Sequence, residues 1–277
     1  MNSVKLSIIT VNLNNLEGLK KTYESVLCQT FTDYEWLISD GGSTDGSREF
    51  IEQHQDKFAY WCSEPDKGIY NAMNKGIVRA KGEYLNFMNS GDCFACEETL
   101  LGVFGKLRTA DILYGYITEE NINGRCNPAR LMKKDVYWYE LYYYTFPHQG
   151  TFINRKMFSI VGLYDEDCKI VADWKWFIKA ILQYKATYEF IPYKIAVIQL
   201  GGISDSPNCD LERQQQRKEI FPNYITDDDV FTLMKFSIIQ SSQLTRLLFR
   251  LVMVIAMRIT TIRKQYITRR LSAYWND

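Results

Sequence analysis

The chain has 277 residues, and its 33 basic side chains balance its 33 acidic ones, so the formal net charge is zero. This balance gives no support to nucleic acid as a partner. A hydrophobic content of 46% with 24% charged residues is the composition of a folded protein, and the length suits one large α/β domain with an appendage. The first residues do not resemble a signal peptide, and no apolar run reaches the ~20 residues of a membrane-spanning helix.

The seven cysteines are scattered along the chain, and only Cys93 and Cys96 form a close pair. A structural zinc site needs a second pair of ligands, and none lies nearby. We therefore expect reduced thiols in a cytosolic protein.

The first ninety residues alternate between strand-like and helix-like segments. Short apolar runs predict strands, and the apolar spacing between them predicts helices. The predicted strands are 5–11, 34–40, 58–64 and 83–89, and the predicted helices are 16–31, 47–55 and 68–80. Such alternation is typical of a mostly parallel sheet with helices on its faces.

The pattern loosens after residue 97. Segment 111–127 predicts a hairpin or two short strands around Asn123-Gly124, and segment 135–158 is dense in aromatic residues. A helix is predicted at 171–184 and a strand followed by a turn at 193–202. We place the end of the main domain near residue 225.

Residues 226–277 differ in composition from the rest of the chain. Positions 230–276 carry eight Lys or Arg residues and no acid, and their leucines and isoleucines recur at helical spacing. A basic amphipathic helix of this kind binds an anionic membrane surface or packs against protein, and the sequence leaves both interpretations open.

Small and acidic residues follow each of the four predicted strands. In open parallel sheets, ligands bind at the carboxyl ends of the strands, so we expect these side chains to converge. They are Asn12 and Asn14 after the first strand, Asp40 after the second, Asp66 after the third, and Asn89 and Asp92 after the fourth. Carboxylates at such an edge attract a divalent cation, which in turn neutralises a diphosphate.

Three other kinds of site are disfavoured because the chain lacks residues that they need. The segment "GGSTDGS" has Ser47 where a phosphate-binding P-loop needs lysine. The chain has no G-x-G-x-x-G for a dinucleotide. It has no G-x-S-x-G and only two histidines, which disfavours a serine hydrolase.

Two long segments resemble the family-2 inverting glycosyltransferases of the GT-A fold. They are "LSIITVNLNNLEGLKKTYESVLCQTFTDYEWLISDGGSTDGS" and "EPDKGIYNAMNKGIVRAKGEYLNFMNSGD". Similarity resumes at "PHQGTFINRKMF" and "VADWKWFIKA", so the resemblance covers about residues 4–205. It implies a GT-A α/β domain at 1–225, with a nucleotide-binding half at 1–95 and an acceptor-binding half at 96–225, followed by the helical extension 226–277.

The resemblance also implies roles for individual residues. Asp173 matches the catalytic base, and Asp92 matches the last acid of the motif that binds Mn²⁺ or Mg²⁺. The remaining matches are nucleotide-binding or acceptor-binding positions: Asn12, Asn14, Asp40, Asp66 and Asn89 for the nucleotide, and His148 and Trp174 for the acceptor. The chain departs from the common Asp-x-Asp-Asp pattern at Asn89-Ser90-Gly91-Asp92, where Gly91 offers no ligand.

The implied activity is transfer of a hexosyl or N-acetylhexosaminyl group from a nucleotide-diphosphate sugar, with uridine as the expected base. The expected acceptor is a hydroxyl of a glycan or a lipid-linked molecule in cell-surface polysaccharide synthesis. The expected location is the cytoplasm, with residues 230–277 meeting the inner face of the membrane or a second subunit.

Two alternatives remain open on the sequence. A sugar-phosphate nucleotidyltransferase has a related sheet, but its glycine-rich first loop with Arg and Lys is missing from "TVNLNNLEG". A non-catalytic scaffold on a degenerate transferase fold is supported by Gly91. Hydrolysis of a nucleotide sugar with and without Mn²⁺ discriminates between an enzyme and a scaffold.

Overall fold

A computed structural model describes residues 4–120, 126–128, 141, 145–202 and 208–220. The chain divides after Ile220 into two units, and all the described residues belong to the first, 1–220. The predicted extension 226–277, the predicted turn at Asn123-Gly124 and residues 135–140 and 142–144 of the aromatic segment lie outside the described residues.

A mixed sheet forms the centre of the described unit, with strands in the order β3-β2-β1-β4-β8-β6-β9-β5 and β7 beside β6. The strands are β1 Leu6–Asn12, β2 Tyr34–Asp40, β3 Tyr60–Ser63, β4 Tyr84–Phe87, β5 Cys93–Phe94, β6 Ile112–Glu120, β7 Cys126–Pro128, β8 Thr151–Asn154 and β9 Tyr188–Gln199.

Helices connect the strands and cover the sheet. They are α1 Leu16–Leu27, α2 Ser47–Gln53, α3 Ile69–Arg79, α4 Thr99–Phe104, α5 Lys156–Val161, α6 Ala172–Ile178 and α7 Asn208–Ile220. A 3-10 turn, His148–Gly150, precedes β8, and a π-helical turn, Lys179–Gln183, follows α6. None of the helices in the described part of the chain has the length and hydropathy needed to cross a membrane.

The first four strands confirm the predicted parallel arrangement. β1 pairs in parallel with both β2 and β4, and β2 pairs in parallel with β3. The register places Asn12 beside Asp40 and Asp40 beside Ser63. The polar residues that end these strands therefore lie at the same edge of the sheet.

The second half of the sheet departs from this pattern. β8 runs antiparallel to β4 and β6, while the long strand β9 is parallel to β6 and antiparallel to β5. β7 pairs antiparallel with β6, as the predicted hairpin requires. Strand β9 begins at Tyr188 rather than at the predicted residue 193, and the predicted helix 171–184 is α-helical only as far as Ile178.

The core lies on both faces of the sheet. Every residue of β1 is buried, and Met73 and Ile77 of α3 are buried as their spacing predicts. Gly76 allows this close packing, because a Cβ there would come within 2.5 Å of Cγ2 of Ile9. Leu27, the last residue of α1, is 40% exposed.

Candidate functional site

Asp40 is the centre of a buried hydrogen-bond cluster at the end of β2. The residue is 2% exposed. Its Oδ1 accepts hydrogen bonds from Nδ2 of Asn12 at 2.7 Å and Oγ of Ser43 at 2.5 Å. Its Oδ2 accepts from Oγ of Ser63 at 2.6 Å and the backbone N–H of Ser43 at 2.9 Å. Burial acts to raise the pKa of Asp40, but these hydrogen bonds outweigh it and hold the pKa below its usual value.

Asp40 therefore fixes the loop 41–46 against the end of β1. Its carboxylate is occupied by internal donors, and its predicted contact with the nucleotide base stays a prediction. Oδ1 of Asn12 is buried and has no hydrogen-bond partner among the described residues. A buried amide oxygen of this kind is costly unless a ligand or water supplies a donor.

Asn14 and Asp66 lie on either side of the same loop. Asn14 adopts φ of 48°, and its Oδ1 accepts from the backbone N–H of Thr44 at 2.8 Å. Asp66 accepts from the N–H of Gly68 through Oδ1 at 2.8 Å, and its Oδ2 lies 2.6 Å from where a Cβ on Gly41 would be. Leu13, between Asn12 and Asn14, is 58% exposed. The exposed Leu13 and Asn14 and the half-buried Asp66 form a rim around the Asp40 loop.

The turn 89–92 follows β4 and is held by α1. Thr22 accepts the N–H of Gly91 at 3.1 Å through Oγ1 and donates from the same atom to the carbonyl of Asp92 at 2.7 Å. Gly91 has φ of +101°, and a Cβ there would lie 2.6 Å from Oε1 of Gln199. The positive φ favours glycine at the position where the family pattern has an acid.

Asp92 is 6% exposed and points toward two glutamines. Its Oδ2 accepts from Nε2 of Gln149 at 2.8 Å, and its Oδ1 accepts from the backbone N–H of Gln199 at 3.1 Å. Burial raises the pKa of Asp92, and these two hydrogen bonds, together with His148 and Lys21, only partly offset the increase.

The described residues contain no cluster of three or more His, Cys, Asp or Glu side chains suited to a metal ion. A divalent cation that also binds substrate phosphates needs only one or two protein carboxylates, and Asp92 supplies one. Oδ1 of Asn89, three residues earlier, is buried with no partner among the described residues. This donor set fits a cation shared between the protein and a diphosphate.

Asp173 lies in the first turn of α6 and is 8% exposed. Its Oδ1 is 3.0 Å from the hydroxyl of Tyr70 and accepts the N–H of Trp174 at 2.8 Å. Its Oδ2 lies 3.2 Å from Nδ1 of His148, whose Nε2 lies 3.0 Å from Nδ2 of Asn89. Burial and the negative charge of Asp173 raise the pKa of Tyr70, which keeps that hydroxyl protonated as a donor.

The structure therefore brings Asp92 and Asp173 into one side-chain network. The adjacent residues His148 and Gln149 form its bridge, because His148 contacts Asp173 and Gln149 contacts Asp92. Asp40 lies at the same edge of the sheet, two strands from the turn 89–92. Nδ2 of Asn15 donates to the carbonyl of Ser90 at 3.1 Å and ties that turn to the end of β1.

The position of Trp174 corrects its predicted role. The indole is 1% exposed, and its Nε1 donates to the carbonyl of Leu141 at 2.6 Å. A ring enclosed in this way has no free face on which a sugar can stack, so Trp174 packs in the core.

Four residues of the network were not predicted from the sequence: Thr22, Tyr70, Gln149 and Gln199. Of these four, Gln149 had the clearest sequence signal, since it adjoins His148 in "FPHQG". Thr22 and Gln199 gave no signal, because their roles arise only where α1 and β9 meet the turn 89–92.

The fold is that of the GT-A class of glycosyltransferases. The sequence model for "Glycosyl transferase family 2" matches residues 7–162. The chain belongs to this family, which decides against the nucleotidyltransferase alternative. Asp173 lies beyond the matched segment, so its assignment depends on the geometry described above.

Known relatives agree with this classification. The chain is 32% identical over 191 residues to the uncharacterized glycosyltransferase Rv1514c of Mycobacterium tuberculosis strain H37Rv, covering 64% of this chain and 69% of that protein. It is also similar to Staphylococcus aureus TarS 1–349 solved with UDP-GlcNAc, with a TM-score of 0.61, 19% identity and coverage of 82% of this chain and 69% of that one. A mannosyltransferase from Pyrobaculum calidifontis, solved with GDP-Man and Mn²⁺, gives a TM-score of 0.53, 14% identity and coverage of 91% and 80%.

Proposed function

We propose that the protein is an inverting glycosyltransferase that moves a sugar from a uridine-diphosphate sugar to an acceptor hydroxyl, with Asp173 as the general base. The observation that carries the proposal is the network joining Asp92 to Asp173 through the turn His148–Gly150. The network connects Asp92, which is proposed to lie toward the diphosphate, to Asp173, which is proposed to remove the proton.

Asp173 is well placed for proton removal. Two N–H donors hold the carboxylate, the backbone of Trp174 and Nδ1 of His148. The single proton of the Tyr70 hydroxyl is shared between Asp173 at 3.0 Å and the carbonyl of Ile170 at 2.6 Å. The orientation of the carboxylate is therefore fixed before substrate arrives. In the proposed reaction Asp173 accepts the proton of the acceptor hydroxyl while that oxygen attacks the anomeric carbon and the nucleoside diphosphate leaves. A single displacement inverts the stereochemistry at that carbon.

The donor is proposed to bind along the edge formed by β1, β2 and β4. Asn12, Asn14, Asp40 and Asp66 surround the loop that would receive the nucleoside, and Asn89 and Asp92 would lie toward the diphosphate. A Mn²⁺ or Mg²⁺ ion held by Asp92 would offset the charge that develops on the leaving diphosphate. Two similar structures support this assignment, TarS with UDP-GlcNAc and the mannosyltransferase with Mn²⁺.

The acceptor is proposed to be a glycan or a lipid-linked sugar in cell-surface polysaccharide synthesis, and the transferred group a hexosyl or N-acetylhexosaminyl residue. The basic segment 230–276 supports action at the inner face of a membrane, where its cations would meet anionic lipid. The same segment would serve equally as a contact between two subunits.

The direct test is substitution of Asp173 by asparagine. General-base assistance contributes ~10²–10⁴ in rate, so Asp173→Asn should lower turnover by that factor and leave the affinity for donor unchanged. Turnover is measured as UDP release from UDP sugars, with water or a sugar as acceptor, and affinity by calorimetry with UDP. Asp167→Asn, an exposed carboxylate in the loop before α6, is the matched control. Equal loss of turnover and affinity would contradict the base assignment.

A second test addresses the donor and the cation. A panel of UDP and GDP sugars, each with and without Mn²⁺, should show a thermal shift that is largest for one UDP sugar and depends on the cation. Asp92→Asn should abolish the dependence on Mn²⁺. Release of UDP or GDP is measured on the same panel, and a non-catalytic scaffold would release neither.

A further inference from the structure

His148 contacts the proposed base Asp173 with one ring nitrogen and Asn89, in the turn 89–92, with the other. Nδ1 lies 3.2 Å from Oδ2 of Asp173, and Nε2 lies 3.0 Å from Nδ2 of Asn89. The side chain of His148 is only 16% exposed, and that of Asp173 is 11% exposed. The imidazole is thus enclosed between the proposed base and the turn at the end of β4.

The partners of the ring determine which nitrogen carries the proton. An ionised carboxylate only accepts hydrogen bonds, so Nδ1 must donate to Asp173. A neutral imidazole then has a lone pair on Nε2, and the Asn89 amide donates to it. The hydrogen bonds thus run from Asn89 to His148 and from His148 to Asp173, with a single tautomer throughout.

We propose that His148 is a positioning residue, which orients the Asp173 carboxylate and sets its distance from the donor-binding turn 89–92. This proposal rests on the function proposed above. It revises the sequence-based expectation that His148 contacts the acceptor, because both ring nitrogens already have partners in the described structure. No ring nitrogen remains to bind an acceptor hydroxyl.

The neighbouring residue Gln149 fixes the turn that carries His148. Gln149 donates to Asp92 at 2.8 Å, and the carbonyl of Gln149 accepts from Nδ2 of Asn86 at 3.0 Å. Asn86 belongs to β4 and is fully buried, so the turn His148–Gly150 is attached to the strand that leads into the turn 89–92. A rigid attachment of this kind lets His148 hold Asp173 at a constant distance from Asp92.

The tautomer is tested without any substrate. Nitrogen NMR of the full chain labelled with ¹⁵N-histidine, at a pH well above the ordinary histidine pKa, distinguishes Nδ1–H from Nε2–H. We expect Nδ1–H for His148 in the wild type and, in Asp173→Ala, a changed chemical shift of Nδ1, because that N–H loses its carboxylate acceptor. An Nε2–H tautomer in the wild type, or an unchanged chemical shift of Nδ1 in Asp173→Ala, would overturn the proposal.

The second histidine provides the internal control. Nδ1 of His54 lies 2.8 Å from the carbonyl of Phe50, which also requires Nδ1–H, and His54 lies away from the site at the end of α2. Its signal should stay unchanged in Asp173→Ala, which shows that the variant is folded. The variant His54→Gln assigns the two signals.

Two substitutions of His148 separate its contacts. Asparagine places an amide nitrogen near the position of Nδ1, and glutamine places one near the position of Nε2. We expect His148→Gln to lower kcat for UDP release by about 10- to 100-fold, since a base displaced by about 1 Å costs up to ~10² in rate. His148→Asn should lose less, because it keeps a donor to Asp173. The affinity for UDP should be unchanged in both.

A double variant tests whether His148 and Asp173 act together. In the Asp173→Asn background, His148→Gln should cause no further loss, since the two residues act as one unit. Additive losses, or a raised KM for acceptor with unchanged kcat, would overturn the positioning role in favour of acceptor contact. If Asp173→Asn alone retains full turnover, the proposed base fails, whereas the tautomer of His148 still reports its contact with Asp173.

Discussion

Single residues in this site are explained by their immediate contacts. Gly91 departs from the acidic pattern that the family resemblance implies, and its φ of +101° favours glycine there. Asp40 is buried and charged, and its cost of burial is offset by donors from three neighbouring segments. Both residues shape the site through the backbone around them.

Gly91→Ala should distort the turn that carries Asp92. The positive φ costs about 1–3 kcal/mol for a non-glycine residue, and the new Cβ would also displace Gln199. We expect a lower unfolding temperature and weaker Mn²⁺-dependent donor binding. Gly162→Ala is the matched control, because Gly162 has φ of +98° and no neighbouring atom within 4 Å of where its new Cβ would lie. Equal effects of both substitutions would show that the contact with Gln199 is unimportant.

The lowered pKa of Asp40 predicts that the free energy of unfolding depends on pH. Its folded-state pKa lies below the ordinary aspartate value, so ionised Asp40 stabilises the fold at neutral pH. That contribution is complete above the unfolded-state pKa of about 3.9 and is lost as the pH falls through the lower folded-state value. Urea unfolding should therefore show a gap between wild type and Asp40→Asn that narrows below this pH. A gap independent of pH would exclude the charge of Asp40 as its origin.

At the level of elements, α7 holds the segment that leads into α6. Oε1 of Glu212 accepts the backbone N–H groups of Ile170 at 2.9 Å and Val171 at 3.1 Å. The carbonyl of Ile170 accepts the Tyr70 hydroxyl at 2.6 Å, and that hydroxyl also meets Asp173. A helix beyond the proposed catalytic residues thus fixes the start of the helix that carries the base.

Glu212→Ala should therefore lower both stability and turnover. Hydrogen bonds to a charged group contribute about 1.5–3 kcal/mol, so we expect a loss of about 2 kcal/mol in the free energy of unfolding, with a lower kcat and unchanged UDP affinity. Glu219→Gln is the control, since Glu219 is 54% exposed and lies 3.6 Å from Lys175. Exposed ion pairs contribute about 0–1 kcal/mol. An unchanged unfolding midpoint in Glu212→Ala would refute the role of α7.

At the level of the whole molecule, the chain combines a neutral net charge with a strongly basic terminal segment. The cations of 230–276 are offset by acids elsewhere in the chain, so the total charge conceals them. Attraction of a polybasic segment to anionic lipid contributes about 1 kcal/mol per cation and decreases with salt.

We expect the full chain to float with anionic vesicles at low salt and a chain ending at residue 220 to remain in solution. Replacing four cations by glutamine in the full chain, at Arg263, Lys264, Arg269 and Arg270, should weaken flotation without changing UDP release. Neutral vesicles are the control for lipid charge. If the full chain does not float, residues 221–277 contact protein instead. The full chain and the chain ending at residue 220 should then differ in the number of subunits per particle, measured from the mass in solution.

The sequence by itself determined where the first four strands lie in the chain, their parallel direction and the polar residues at their ends. Local patterns suffice there, because short apolar runs joined by helices form parallel strands whose ends share one edge. The resemblance to the family then identified Asp92 and Asp173 as residues of interest, although no local pattern relates two positions so far apart in the chain.

Only the tertiary structure decided how those residues meet. The mixed pairing of β8, β6 and β9 brings the turn His148–Gly150 beside β4, and no periodicity in the sequence encodes that pairing. Tertiary contacts also explain the burial of Trp174 and the backbone conformation of Gly91. They likewise explain the hydrogen bonds from Ile170 and Val171, just before α6, to Glu212. Contacts between distant segments depend on the packing of the whole unit, whereas strands and helices depend chiefly on neighbouring residues.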